Sequence, residues 1–175
     1  MKPIICLVTG PAGVGKSTIT KELSKKFTNS ARIDVDYIRE MIVNGYVKPF
    51  QDNKKTRNQL FLSRKNACSL AKNFVESGFH VFIDDVISKE SSLDYYLESL
   101  RDYKVLVFLL FCDKDVLRKR DTARPKERVM GERALQLHDH FSKRLDEKRW
   151  FVIDTSISTT AKTAKQIIGL IKENS

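Results

Sequence analysis

Residues 10–17 constrain this chain more than any other segment. They read Gly-Pro-Ala-Gly-Val-Gly-Lys-Ser and match the pattern G-x-x-x-x-G-K-[ST] at every fixed position, directly after an apolar run at residues 4–8. Glycines let the backbone curl so that successive N–H groups point at phosphate oxygens, and a helix that begins near Lys16 adds the positive end of its dipole. The alternative is a chance glycine-rich turn. The apolar run before the segment and an amphipathic helix after it favour a phosphate-binding loop, which predicts binding of a nucleoside triphosphate.

Three side chains at the end of this segment and directly after it have separate expected roles. Lys16 is expected to bridge the β- and γ-phosphates, Ser17 to offer its hydroxyl to Mg²⁺, and Thr18 to reach the α-phosphate. The predicted nucleotide-contacting set is Gly10, Pro11, Ala12, Gly13, Val14, Gly15, Lys16, Ser17 and Thr18.

The hydrophobic pattern of the whole chain alternates between two periods. Short apolar runs at residues 4–8, 31–33, 80–83, 105–111 and 151–153 are separated by helical patterns, which predicts the order β-α-β-α-α-β-α-β-α-α-β-α. Such an alternation predicts a three-layer α/β/α fold around a parallel five-stranded sheet. The length of 175 residues suits a single domain, residues 1–175. The helical spacing of apolar residues over residues 56–76, Phe74 among them, predicts a helix that buries this face. Residues 45–53 and 123–131, which contain Pro49 and Pro125, are the predicted moving loops.

Two carboxylates follow the second predicted strand. Asp34 and Asp36 lie at its carboxyl end, the edge at which ligands bind in open α/β sheets. A hydroxyl that attacks a phosphorus atom needs a carboxylate to orient it and to accept its proton, and we assign this role to Asp36, with Asp34 directed to Mg²⁺ through water. If Asp36 begins a helix, Arg39 lies one turn further on the same face and can hold the acceptor. The alternative is that Asp36 only caps that helix.

A second acidic pair ends the third predicted strand. Asp84 and Asp85 follow a hydrophobic run, as expected for a residue that holds Mg²⁺ through its water shell. Asp84 is assigned to the metal and Asp85 to the acceptor. The sequence leaves open which of them faces the phosphates, because a change of phase by one residue turns a strand side chain to the opposite face. The alternative is helix capping.

Residues 118–131 are predicted to form an arginine-rich lid. A phosphoryl-transfer transition state spreads negative charge over the moving group, and arginines on a closing loop stabilise that charge and exclude water. Arg120 and Arg124 lie four residues apart and are the predicted catalytic pair.

The carboxyl end of the last predicted strand is a candidate base-binding position. Thr155 and Ser156 follow this strand, and a loop at this edge of the sheet can contact the nucleotide base. The alternative is that Ser156 or Ser158 caps the following helix.

The net charge of +10 and the pI near 9.6 indicate anionic partners. Seven lysines and arginines lie between Lys48 and Lys72, with Asp52 as the one acid. This basic stretch, within the predicted acceptor-binding region 36–72, is either a surface for an acidic substrate or a solvated helix face. The chain offers no apolar run long enough for a membrane span or a signal peptide, so we expect a cytoplasmic protein with no membrane partner.

Taken together, residues 10–17, Asp34-Val35-Asp36, the strand that ends at Asp85 and the lid arginines resemble the P-loop kinases of small molecules. Within this group, the sequence is most similar in type to shikimate kinase, gluconate kinase and chloramphenicol phosphotransferase. The resemblance implies ATP and Mg²⁺ as cofactors, the sheet order 2-3-1-4-5, Asp36 as the acceptor-side base, Lys16 on the phosphates, and Arg120 and Arg124 closing over ATP. Asp84-Asp85-Val86 stands where a shikimate kinase has a glycine triplet, which argues against shikimate.

Other functions are also compatible with these residues. The spacing Asp36-x-x-Arg39 with a basic helix after it resembles polynucleotide 5′-hydroxyl kinases, in which the arginine holds the substrate phosphate and nucleic acid is the partner. An ATPase switch without an acceptor is a third hypothesis. A small hydroxyl acceptor is our first choice, and the sequence leaves open whether the chain is a monomer or a homodimer.

Overall fold

The computed structural model describes residues 2–49, 51 and 53–174, so Asp52, counted above, lies outside the described residues. The elements follow the predicted order, with a 3₁₀ turn at Lys126–Arg128 between α5 and α6. The strands are β1 Ile5–Thr9, β2 Ser30–Asp34, β3 His80–Asp84, β4 Val105–Phe111 and β5 Phe151–Asp154. The helices are α1 Lys16–Ser24, α2 Val35–Glu40, α3 Lys54–Glu76, α4 Glu90–Ser99, α5 Lys114–Thr122, α6 Glu132–Ser142 and α7 Thr160–Glu173.

The five strands form one parallel sheet in the order β2-β3-β1-β4-β5. The resemblance had implied this order, and the structure confirms it. Strand β1 lies in the centre, with Leu7 opposite Ile83 on one side and Val107 on the other. The loop after β1 therefore leaves from the middle of the carboxyl edge, between the ends of β3 and β4.

The core is split by the sheet into two apolar layers. Ile5 and Leu7 of β1 pack in a cluster with residues of α3 and α4, whereas Cys6 and Val8 pack in a second cluster with residues of α1 and α7. This division follows from the period of two in a strand, which directs successive side chains to opposite faces. Since β1 is buried on both faces, its sequence is apolar throughout rather than alternating.

Helix α3 differs in two details from its prediction. It begins two residues earlier than Thr56, because the side chain of Asn53 accepts a hydrogen bond from the Thr56 N–H at 2.9 Å and caps the helix. Phe74, predicted on the buried face, is 37% exposed and packs edge-on against Phe79. Within the described ranges, no helix is both long enough and apolar enough to cross a bilayer.

Candidate functional site

The loop after β1 passes very close to β4. Gly10 has φ of +140°, and a Cβ atom built on it would lie 2.2 Å from the carbonyl oxygen of Leu110. Gly15 precedes α1 with φ of +106°, a conformation that L-residues rarely adopt. The glycines of the motif are thus required by the path of the backbone, as the sequence pattern predicted.

Lys16 occupies the centre of this loop. Its side chain is buried, and its ammonium group donates hydrogen bonds to the carbonyl oxygens of Gly10 at 3.2 Å and Pro11 at 3.1 Å. Ser17 and Thr18, in the first turn of α1, are exposed. The loop therefore presents a positive charge, a helix amino end and two hydroxyl groups side by side, which suits a polyphosphate.

The Ser17 hydroxyl points to the end of β3. It donates a hydrogen bond to Asp84 Oδ2 at 2.5 Å. Asp84 is buried, and this burial raises the pKa of its carboxyl, while the Lys16 ammonium and the Ser17 hydroxyl act in the opposite direction. Of the two acids at the end of β3, Asp84 is the one that contacts the phosphate-binding loop.

Asp34, at the end of β2, is held by two contacts. Its Oδ1 accepts a hydrogen bond from the Asp36 N–H at 3.1 Å and caps α2, and its Oδ2 pairs with Arg32 at 2.7 Å. Arg32 also lies 3.6 Å from Asp84 Oδ2, which links the two acids. The residue that caps α2 is therefore Asp34, and the Asp36 side chain is left for another role.

Asp36 lies on the first turn of α2, with Arg39 one turn further on the same face, as the spacing predicted. The two side chains form an ion pair. Asp36 Oδ1 is 2.9 Å from Arg39 Nη2, and the Asp36 side chain is 66% exposed whereas that of Arg39 is 5% exposed. Surrounding protein displaces water from the cleft, which raises the pKa of Asp36; the charge of Arg39 opposes this effect, and that of Asp85 adds to it. Lys16 also acts on this carboxyl, so Asp36 lies within electrostatic range of the phosphate-binding loop.

The Arg39 guanidinium has one hydrogen-bond donor without a partner among the described residues. Its Nε is buried without a hydrogen-bond partner among them, and its Cζ lies 5.8 Å from the centre of the Tyr46 ring. A buried guanidinium N–H that lacks a partner is costly, which is compatible with a ligand group at this position.

Asp85 is turned away from the loop into a polar network that the sequence analysis missed. Its Oδ2 accepts hydrogen bonds from Arg64 Nε at 2.7 Å and from the Tyr96 hydroxyl at 3.2 Å. Arg64 also donates to Ser92 at 2.8 Å and to the Val86 carbonyl at 3.2 Å. In the sequence, the one indication that Arg64 is buried was its helical spacing from the buried positions of α3.

The two predicted lid arginines have different partners. Arg120 donates to the Thr155 hydroxyl at 2.9 Å, to the Thr155 carbonyl at 2.6 Å and to the Val14 carbonyl at 3.3 Å. It thus connects α5, the phosphate-binding loop and the end of β5. Arg124 pairs instead with Asp121 at 3.2 Å. The structure does not bring their guanidinium groups to a common partner.

Asp121 organises the segment at residues 123–131, and sequence reasoning missed it. Its buried carboxylate accepts hydrogen bonds from the N–H groups of Met130 at 3.0 Å and Gly131 at 2.8 Å, in addition to Arg124. A Cβ atom built on Gly13 would lie 3.6 Å from the Asp121 Cβ, so this acid is also a neighbour of the phosphate-binding loop. In the sequence, Asp121 is marked only as an acid that directly follows three basic residues, Arg118, Lys119 and Arg120.

The loop after β5 is ordered by its own polar groups. Ser156 accepts a hydrogen bond from the Asp113 N–H at 2.9 Å and donates one to Asp154 at 2.6 Å. Thr159 caps α7, so neither Ser156 nor Ser158 does. Thr155 is buried and bound by Arg120. None of these contacts tests whether Thr155 and Ser156 bind the nucleotide base, so that role stays a prediction.

The donors near Ser17 fit a magnesium ion. The described residues contain no group of three or more His, Cys, Asp or Glu side chains arranged to hold a metal. The Ser17 hydroxyl and the Asp84 carboxylate provide the hard oxygen donors that Mg²⁺ prefers, and this ion takes its other ligands from phosphates and water. A site of this composition suits a metal that arrives with a nucleotide.

Comparisons with known proteins agree with this geometry. The sheet order and the loop define the P-loop NTPase fold. The profile of the AAA domain family matches residues 6–156, and the chain belongs to that family. No curated protein sequence matches the chain significantly.

Solved structures of kinases and resistance proteins share the fold. The tunicamycin resistance protein of Deinococcus radiodurans is 17% identical with a TM-score of 0.71, covering 97% of this chain and 95% of that one. A gluconokinase from Sinorhizobium meliloti 1021 is 16% identical with a TM-score of 0.72, covering 99% and 94%. The thymidylate kinase of Candida albicans is 16% identical with a TM-score of 0.70, covering 99% and 92%. At these identities the likeness establishes the fold.

Proposed function

We propose that this protein transfers the γ-phosphate of ATP to a hydroxyl group of a small molecule, with Asp36 as the base. One observation carries the proposal: an exposed carboxylate, oriented by a buried arginine, lies within electrostatic range of Lys16 in the phosphate-binding loop. A hydrolytic switch has no need of an oriented carboxylate on the acceptor side, whereas transfer to a hydroxyl does.

Different groups in and around the loop bind the phosphates and the metal ion. The backbone of residues 10–15 and the Lys16 ammonium hold the phosphates, with the lysine exchanging its contacts to Gly10 and Pro11 for phosphate oxygens. Ser17 and Asp84 would hold Mg²⁺, with Asp34, which Arg32 links to Asp84, directed to the ion through water. When bound, Mg²⁺ neutralises charge on the β- and γ-phosphates.

Asp36 acts on the acceptor. The acceptor oxygen forms a bond to the γ-phosphorus as the bond from that phosphorus to the β,γ-bridging oxygen breaks, ADP leaves, and the hydroxyl proton moves to the Asp36 carboxylate. Arg39 orients this carboxylate and contributes to acceptor binding through its unpartnered Nε, while Asp85 shapes the same side of the cleft.

Residues 118–131 form the lid in this proposal. Arg120, between Val14 and Thr155, contacts ATP near its base, with Thr155 and Ser156 beside it. Arg124 reaches the transferring phosphate by leaving Asp121 when the lid closes. The names of two structural neighbours, a gluconokinase and a thymidylate kinase, support kinase chemistry on this fold.

The test is transfer of label from [γ-³²P]ATP with Mg²⁺ to a pool of hydroxylated metabolites and antibiotics. Asp36→Asn is expected to leave ATP affinity near normal and to reduce acceptor-dependent transfer by ~10²-fold or more. Asp102→Asn is the matched control, because this aspartate side chain is 80% exposed and lies at the opposite end of the sheet, before β4. Unchanged transfer in Asp36→Asn would exclude Asp36 as the base.

A parallel reaction contains a 5′-hydroxyl oligonucleotide. The second candidate function, polynucleotide 5′-hydroxyl kinase, is favoured by the exposed lysines Lys54, Lys55 and Lys65 on α3. Label on the oligonucleotide that falls steeply with salt would establish it in place of the small-molecule kinase. ADP release without any acceptor, equal in wild type and Asp36→Asn, would indicate the ATPase switch.

A further inference from the structure

A cavity opens beside the phosphate-binding loop, along the exposed face of α1. Its volume is about 470 Å³. Its wall is formed by Lys21 of α1, by Lys25 directly after that helix, by Arg32 of β2 and by Tyr37 of α2. It meets the loop at Ser17 and Thr18. Neither lysine belongs to the machinery proposed above, whereas Ser17, Thr18 and Arg32 do.

The charge of the cavity is not balanced by protein groups. Glu22, which also lines it, pairs with Lys26 at 3.3 Å, and Arg32 pairs with Asp34 at 2.7 Å. Within the part of the chain that the structure describes, neither Lys21 nor Lys25 has a carboxylate partner. Two ammonium groups that share a concave wall repel each other, and a ligand anion placed between them relieves that repulsion.

The size and lining of the cavity indicate more than a bare anion. Small-molecule sites measure roughly 300–1,000 Å³, and this cavity falls within that range. Thr18 and Thr160 add hydroxyl groups to the wall, and Tyr37, which is 51% exposed, adds an apolar ring. These groups suit a phosphate ester with an organic part.

The cavity shares Ser17 with the proposed catalytic site. Tyr37 adjoins Asp36 in the chain, and Ser17 marks the predicted metal position. We propose that Lys21 and Lys25 bind a phosphate group carried by the acceptor, so that the acceptor is a phosphorylated alcohol of low molecular weight. The lining of the cavity by itself supports an anion site. The statement that the bound phosphate belongs to the acceptor rests on the proposed function.

The first test measures anion binding without turnover. The protein is saturated with Mg²⁺ and a non-hydrolysable ATP analogue, which fills the phosphate-binding loop, and inorganic phosphate is titrated in while ¹H–¹⁵N NMR shifts are recorded. We expect saturable shifts at residues 18–25, 32 and 37. The double variant Lys21→Gln/Lys25→Gln should weaken phosphate binding about tenfold or more. Lys165→Gln, an exposed lysine of α7, is the control and should leave the affinity unchanged.

Equal phosphate affinity in the double variant and the wild type would overturn the anion site, as would shifts confined to other parts of the chain. The second test compares acceptor candidates in pairs that differ by one phosphate, for example ribose and ribose 5-phosphate, with labelled ATP. Preferential labelling of the phosphorylated members, reduced in the double variant, supports the assignment to the acceptor. Preferential labelling of the unphosphorylated members overturns that assignment but leaves the kinase in place, whereas phosphate binding without transfer to any compound overturns the kinase and leaves the anion site.

Discussion

The pair formed by Arg64 and Asp85 gives the sharpest prediction about stability. Both side chains are largely buried, with exposed fractions of 13% and 8%, and they lie 2.7 Å apart. Replacement of Arg64 by methionine keeps an unbranched aliphatic stem in the buried part of the site and removes the donors. It leaves the Asp85 carboxylate buried with the Tyr96 hydroxyl as its remaining side-chain donor, and the Ser92 hydroxyl and the Val86 carbonyl each lose a hydrogen bond.

The size of the effect follows from the burial of the charge that remains. Removal of one partner from a buried ion pair costs roughly 3–5 kcal/mol, because the other charge stays without compensation. A chain of this length loses about 2–4 °C of melting temperature per kcal/mol, which gives a decrease of roughly 6–20 °C for Arg64→Met. The double variant Arg64→Met/Asp85→Leu removes both charges and should recover part of the loss, with a coupling of about 0.5–3 kcal/mol.

Urea denaturation followed by fluorescence of the single tryptophan, Trp150, measures these free energies of unfolding. Arg101→Met is the matched control, since Arg101 pairs with Glu98 at 2.6 Å but the two side chains are 68% and 73% exposed. An exposed pair of this kind contributes at most about 1 kcal/mol. A loss for Arg64→Met no larger than that of the control would refute the interpretation of Asp85 as part of a stabilising network.

Three further variants or conditions test other parts of the account. Gly10→Ala should abolish nucleotide binding or folding, because its Cβ would lie 2.2 Å from the Leu110 carbonyl oxygen, and normal ATP affinity in calorimetry would contradict the described loop path. Asp121→Ala should release residues 123–131 and speed tryptic cleavage after Arg128, with a stability loss of about 1–3 kcal/mol for its unpaired donors; cleavage at the wild-type rate would exclude Asp121 as the anchor. The rate of transfer should fall with decreasing pH at a value above the usual range for aspartate, since the pKa of Asp36 is raised and a base must be ionised; in Asp36→Asn this acidic limb should disappear.

The sequence was sufficient to predict the elements of the sheet. The three central strands β1, β3 and β4 are short, mainly apolar and bounded by helical patterns, so the period of the pattern changes clearly at their boundaries. The phosphate-binding loop was equally predictable, because only glycine fits next to Leu110 at position 10. The pairing of Asp36 with Arg39 could be inferred because it is a local contact along one helix.

Contacts between distant segments could not be predicted in the same way. The choice between Asp84 and Asp85 depends on the phase of β3 at its last residue, and the sequence carries no signal for that phase. Arg64 was counted as part of a basic stretch, yet its partner Asp85 lies 21 residues away on another element. The partner of Arg120, Thr155, is likewise 35 residues away, after β5, whereas Arg124 pairs with Asp121 only three residues earlier.

The most direct measurement of the central claim separates binding from transfer in one variant. Wild type, Asp36→Asn and Lys16→Met are compared for ATP affinity by calorimetry with Mg²⁺ and for label transferred to the best acceptor from the screen. We predict that Lys16→Met loses ATP affinity, whereas Asp36→Asn binds ATP like the wild type and transfers label ~10²-fold or more slowly. Wild-type transfer by Asp36→Asn, or loss of ATP affinity in that variant, would contradict the account.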